Sequence, residues 1–284
     1  PGVDRILKVK MADAKQPYVS LYQSPEPLLH DVTDQMQLTD VHKEYDFIDF
    51  NYQSLIPFKM SQLGPGASVG DVNGDGLEDF FVGGAKFYSG IFYLQQPSGK
   101  FQPKYLEGVL EKKEKLGEDL GSLLIDMDRD GDLDLYVSGR NVAFQYPMGT
   151  VSRLLRNDSK PGVIKYTDMT RVWAPELLVD NLACDAICTD FNQDGWVDIV
   201  VAGEFAPIQF FANQKGHLTK LANTGLDELT GLWGSITTAD FDQDGDMDFV
   251  AGNMGKNTLL RANVKQPVEV LHGDLDGNGV YDVF

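Results

Sequence analysis

The 284-residue chain has no uninterrupted apolar run of 18 residues, so nothing in it reads as a transmembrane helix. Basic residues are few, 24 against 43 acidic ones, and they form no stripe, which disfavours nucleic acid as a partner. Cysteine is scarcer still. Cys184 and Cys188 lie four apart in a segment that reads as a strand, where four residues span roughly 13 Å, beyond disulfide reach. Both read as buried small hydrophobes, and so little cysteine leaves the cellular compartment open. The four histidines, His30, His42, His217 and His272, show no His-x-x-x-His spacing, so a zinc site is not indicated. His272 reads as structural.

What the chain does have is glycine, 29 residues, with 42% hydrophobic and 11% aromatic content. That mixture suits short strands joined by tight turns, in one large repeat domain. The repeat is a nine-residue phrase, Asp-x-(Asp/Asn)-x-(Asp/Asn)-Gly-x-x-Asp, which occurs five times. Its positions one, three, five and nine are Asp71, Asn73, Asp75 and Asp79; Asp126, Asp128, Asp130 and Asp134; Asp190, Asn192, Asp194 and Asp198; Asp240, Asp242, Asp244 and Asp248; Asp274, Asp276, Asn278 and Asp282. Oxygen-only side chains at fixed spacing are what a hard cation with six to eight oxygen ligands requires, so the phrase predicts up to five Ca²⁺ sites. Glycine at position six (Gly76, Gly131, Gly195, Gly245, Gly279) allows the sharp turn around an ion. Position seven varies freely, as Leu77, Asp132, Trp196, Asp246 and Val280, which fits a ligand that is only a backbone carbonyl.

The phrase is not an EF-hand. Position twelve, where that loop needs a bidentate Glu, holds Val82, Val137, Val201 or Ala251. Positions ten to twelve are instead apolar, as in Phe80-Phe81-Val82 and Ile199-Val200-Val201, so each loop feeds a buried strand. The formal net charge of −19 has the same origin. Ligand positions hold three, four, three, four and three carboxylates, 17 of the 43 acidic residues, and five Ca²⁺ would bring −19 to −9. Packing three or four like charges into one loop predicts a calcium-dependent fold.

Loop starts are separated by 55, 64, 50 and 34 residues, and the first three intervals suit one four-stranded propeller blade each. The unit reads strand, loop, strand, turn, strand, turn, strand. Hairpins are predicted at Ile91–Leu94 with Phe101, at Ile208–Phe211 with Leu218, and at Ser152–Leu155 with Pro161–Ile164. An echo between Asp31-Val32-Thr33 and Asp168-Met169-Thr170 shows that the first unit carries an insertion of about 18 residues within 39–64. The insertion holds Tyr45, Phe47, Phe50, Tyr52 and Phe58 among Glu44, Asp46 and Asp49. It reads either as a loop folded over the propeller or as an aromatic and acidic surface for a glycan or protein partner.

On these loops and on glycine-terminated strands such as Phe80-Phe81-Val82-Gly83-Gly84-Ala85, residues 29–284 resemble the FG-GAP/VCBS repeat family of integrin α-subunit propellers and bacterial surface proteins. The segment Leu63–Gly70 is similar to that of bacterial exported proteins with ASPIC/UnbV segments. The resemblance implies an all-β fold, a β-propeller of four-stranded blades with calcium loops between strands, seven-bladed in full, the ring being either incomplete here or closed by residues that lack the phrase. It also implies export, a cell-surface protein or glycan partner, an adhesion-type or scaffold role, and no catalysis. Residues 1–28 read as the tail of a preceding domain or a ring-closing strand, and both ends read as cut from something longer.

Catalytic signatures are weak. Gly66-Ala67-Ser68-Val69-Gly70 matches a nucleophile elbow in letters, but it runs directly into a loop rather than a helix. The alternatives kept open are a polysaccharide-active lyase or hydrolase, which would need uncommitted charged residues converging on a deep pocket, and a lectin-like propeller.

Overall fold

The computed structural model describes residues 28–56, 58–106, 115–160, 163–179, 182–255, 257–258, 261–263 and 265–284. Apart from Leu28, the N-terminal segment 1–28 lies outside them. The elements are almost all strands: β1 Ala67–Gly70, β2 Asp79–Val82, β3 Ile91–Gln95, β4 Phe101–Tyr105; β5 Asp119–Ile125, β6 Asp134–Gly139, β7 Arg153–Asn157, β8 Tyr166–Asp168; a four-residue helix, α1 Thr170–Trp173; then β9 Ala183–Thr189, β10 Asp198–Ala206, β11 Gln209–Asn213, β12 Leu218–Lys220, β13 Gly231–Ala239, β14 Asp248–Asn253, β15 His272–Gly273 and β16 Asp282–Val283.

These strands form antiparallel meanders. β1-β2-β3-β4 and β5-β6-β7-β8 are four-stranded sheets, and β9-β10-β11-β12 pair in the same order. β13 pairs with β14, and also with the end of β10 through Glu204↔Leu232. A fifth unit is represented by the pair β15-β16, His272↔Val283. The chain is therefore an all-β propeller assembly in which each acidic phrase joins the first two strands of a blade. One predicted hairpin is corrected. β7 pairs with β8, which begins at Tyr166, and Val163 makes only a single bridge to Lys160; Pro161 and Gly162 lie outside the described residues.

The apolar runs after the second and third loops are continuous because both faces of β6 and β10 are covered; β14, expected to be buried like them, leaves Val250 52% exposed. Leu135 and Val137 of β6 pack with Phe81 and Phe92 of the first blade. Tyr136, between them, points the other way and packs with Ile199, Val201 and Phe211 of the third. In β10 the alternate residues Val200 and Ala202 meet Ile236 of the fourth unit. Period-two alternation thus gives the second and third blades two apolar faces, each against a neighbouring blade. First strands neighbour one another from blade to blade, β1 by β5, β5 by β9 and β9 by β13. The approach at the first of these is close: Gly66 N–H donates to Asp119 O at 2.9 Å, and a Cβ on Gly66 would stand 1.9 Å from Leu120 O. No side chain larger than hydrogen fits there.

The insertion folds over the blade ends opposite the acidic loops. Gln53 donates to Tyr146 O and accepts from Tyr146 N–H, at 2.7 and 3.0 Å. Ile56 and Met60 join Tyr146, Leu182 and Val283 in one buried cluster, so the insertion touches the second, third and fifth units together. The Asp31 echo is structural too. Asp31 Oδ1 accepts from Thr33 N–H and Asp168 Oδ1 from Thr170 N–H, both at 2.9 Å.

Candidate metal centres

Each acidic phrase folds into the same loop, built by its own side chains capping its own amides. The first carboxylate accepts from the sixth residue's N–H: Gly76 to Asp71 at 2.7 Å, Gly131 to Asp126 at 3.2 Å, Gly195 to Asp190 at 2.7 Å, Gly245 to Asp240 at 3.1 Å and Gly279 to Asp274 at 3.0 Å. The third residue accepts from the fifth N–H in all five loops, with Asn73 and Asn192 serving as well as Asp128, Asp242 and Asp276. The fifth in turn accepts from the seventh N–H, of Leu77, Asp132, Trp196, Asp246 and Val280. These interlocking Asx turns curl the chain so that its acidic oxygens point inward.

The curl needs left-handed backbone twice per loop. Position six supplies it through glycine, with φ from 82° to 101°. Position four is left-handed as well, and there the residues are Gly74, Arg129, Gln193, Gln243 and Gly277, with φ from 57° to 74°. Three of these five are not glycine, so the sequence carried no signal for that second turn.

In the second and fourth loops the oxygens of positions one, three and five (Asp126, Asp128, Asp130; Asp240, Asp242, Asp244) lie within 4.8 Å of one another. In the fifth loop the converging set is Asp274, Asp276 and Asp282. That loop is folded like the others, although the strand pair that closes it has only two residues on each side.

Position nine has a further task. Asp79, Asp134 and Asp198 are fully buried. One oxygen of each accepts from the second residue's N–H (Val72 at 3.2 Å, Met127 at 3.1 Å, Phe191 at 3.2 Å). The other accepts from the last residue of the third strand (Gln95, Asn157, Asn213, at 2.7, 2.8 and 2.7 Å). Asp248 and Asp282 make the first of these bonds, to Phe241 and Leu275. Sequence reading missed this bridge, because its far end lies a whole hairpin downstream.

The electrostatics are those of crowded anions. Burial pushes the Asp134 carboxyl up to about 7, against the opposing hydrogen bonds from Asn157 and Met127 and with help from Asp128 and Asp132. Burial, with Asp130 beside it, raises Asp132 to about 6. Asp79, Asp128 and Asp198 are also raised by burial. Asp126 Oδ1 and Asp132 Oδ1 are buried with no hydrogen-bond partner. An all-oxygen donor set, excess negative charge and an unpartnered inward oxygen together fit a hard divalent cation.

The FG-GAP-like repeat family matches residues 71–137 and 190–251, spans that start on the first and third loops. The chain carries FG-GAP-like repeats. No curated protein matches it significantly. Among solved structures, this chain is similar to Bacillus licheniformis rhamnogalacturonan lyase PL11 (15% identity, TM-score 0.39, 77% of this chain and 46% of that one). It is also similar to the exotype rhamnogalacturonan lyase YesX (16% identity, TM-score 0.38, 77% and 44%). The chain spans less than half the length of either.

Away from the loops, charged residues converge at the opposite blade ends in two places: Lys115, Glu118, Asp119 and Arg153 line a cavity of about 300 Å³, and a second group lies under the insertion. Arg140, 1% exposed, pairs with Glu204 at 2.6 Å and donates to Met60 O at 2.6 Å; Tyr146 donates its hydroxyl to Glu204 at 2.9 Å. The insertion covers them. Asp49, counted among its acidic surface residues, is buried, and caps Met60 and Ser61. Tyr45 and Phe144, with Phe87, enclose the Lys86 ammonium, which lies 4.4 Å from the Phe144 ring centroid. Ile48, Phe50, Tyr52 and Leu55 remain exposed. Ser68 of the elbow-like phrase is an ordinary residue of β1, paired with Phe81. Among the described residues no helix is long and apolar enough to cross a membrane.

Proposed function

We propose that this propeller module binds Ca²⁺ in its acidic loops and uses the ions to hold the blades rigid, as a cell-surface or extracellular scaffold for a protein or glycan partner. The observation that carries the calcium reading is Asp126 Oδ1, buried and unpartnered beside Asp128 and Asp130. Side chains at positions one, three, five and nine and the seventh carbonyl would hold the ion. Bound there, it supplies charge neutralisation for carboxylates that the fold has already brought together. Rigid loops at one end of the blades, and an ordered insertion with exposed aromatic residues at the other, support an interaction role. So does the sealing of Arg140, Tyr146 and Glu204, which leaves them no access to a substrate. Sites of this kind outside cells have dissociation constants on the order of 10⁻⁴ to 10⁻³ M, filled at extracellular calcium levels, which supports an exported protein.

Thermal unfolding with and without EGTA tests the proposal. Calcium at about 100 times its dissociation constant stabilises by about 2.7 kcal/mol per site, so a rise of many degrees is expected, reduced in Asp130→Ala. An unchanged melting temperature would refute the calcium reading.

A further inference from the structure

Positions four and seven are among the loop positions that the calcium reading leaves without a side-chain role, and across adjacent blades they meet. The guanidinium carbon of Arg129, fourth in the second loop, lies 4.4 Å from the ring centroid of Trp196, seventh in the third. Arg129 Nη2 also lies 3.1 Å from the point where a Cβ on Gly195 would stand. One blade further on, Gln193, fourth in the third loop, donates from Nε2 to Asp246 Oδ1, seventh in the fourth. Between the first and second loops the pattern stops. The fourth residue is Gly74, with no side chain to reach Asp132, and Asp132 Oδ1 is buried without a partner. Third-strand amides reach the other way, back to the preceding blade: Asn157 Nδ2 donates to Val72 O at 3.0 Å and Asn213 Nδ2 to Met127 O at 2.9 Å.

We infer that the second, third and fourth loops are coupled metal sites, with Arg129–Trp196 and Gln193–Asp246 as the contacts that carry the coupling. The inference rests on the calcium reading above. An ion in the third loop fixes the backbone of Trp196, and with it the indole on which Arg129 stacks. Arg129 stands between the third and fifth side chains of the second loop, in the left-handed conformation that aims them inward. Ordering one loop therefore lowers the ordering cost in the next, and the effect is equal in both directions. The first loop is held to the second blade by the Asn157 amide on Val72 O and by the packing of Val72 with Leu135 and Leu155, but it has no contact between positions four and seven and sits outside this chain.

Trp196 provides its own reporter, because an indole at position seven sensitises the luminescence of Tb³⁺ bound in the same loop. The signal is isolated by subtracting that of Trp196→Phe, since Trp173 and Trp233 are also present. Asp128→Ala, which cripples the second loop, is expected to raise the Tb³⁺ midpoint at Trp196 by about two- to fivefold, the size of an exposed cation–π contact. In an Arg129→Ala background the same change is expected to produce no further shift. If Asp128→Ala does not fold, Asp128→Asn serves the same purpose. Trp196-sensitised binding with a midpoint indifferent to Asp128 would overturn the coupling while leaving the metal reading intact. A shift that persists without Arg129 would overturn the assignment to this contact. Absence of any Trp196-dependent emission, together with no heat of calcium binding by calorimetry, would overturn the metal reading and the coupling with it.

Discussion

Replacing Asp134 by alanine separates the two tasks of the ninth carboxylate. Its two oxygens accept from Met127 N–H at 3.1 Å and Asn157 N–H at 2.8 Å, and the side chain is fully buried. Alanine leaves both amides inside the blade without an acceptor. Each orphaned donor costs about 1–3 kcal/mol, so Asp134→Ala should lose about 2–6 kcal/mol, reduced somewhat by relief of a carboxylate that burial already disfavours. Asp130→Ala is the control. Asp130 is exposed and accepts only from the neighbouring Asp132 N–H, so in EGTA its loss should cost under about 1 kcal/mol, the scale of an exposed hydrogen bond. Urea unfolding of both variants in EGTA, followed by circular dichroism, measures the difference. If Asp134→Ala is no less stable than Asp130→Ala without metal, the bridging role is wrong and the ninth residue acts only through an ion.

Two further outcomes follow from the buried groups. Arg140→Met leaves Glu204 charged and buried with only the Tyr146 hydroxyl as partner, and breaking a buried pair in this way should cost about 3–5 kcal/mol in urea unfolding; a loss below about 1 kcal/mol would show that the insertion does not seal this site. Burial pushes the Cys184 thiol up to about 11, so at pH 8 it should resist a thiol reagent until denaturant is added; rapid titration of two thiols in native protein would contradict the packing of β9.

Much of this was legible in the sequence, for a local reason. The acidic phrase and the apolar triplet after it are contiguous, so loop, strand and period-two burial were all written within a dozen residues, and β2, β6, β10 and β14 lie where the triplets put them. What stayed hidden depends on residues far apart in sequence. Asn157 joins Asp134 across a hairpin and Val72 across a blade, and Arg140 meets Met60 and Glu204 only after the insertion has folded back. Position four was invisible for another reason: Arg129, Gln193 and Gln243 adopt positive φ because the flanking Asx turns impose it, not because their own chemistry favours it. The hairpin partner of β7 was misplaced because Lys160 and Val163 close a small bridge of their own, and pairing resumes only at Tyr166.

The central claim is that the repeated phrase is a calcium site, and counting bound calcium tests it most directly. Equilibrium dialysis against about 20 mM Ca²⁺, about 20 times the upper end of the dissociation-constant range of such sites, with metal analysis of the retained protein, should find close to five ions per chain, one for each loop, falling by one in Asp130→Ala. A count near zero at that concentration would contradict the account.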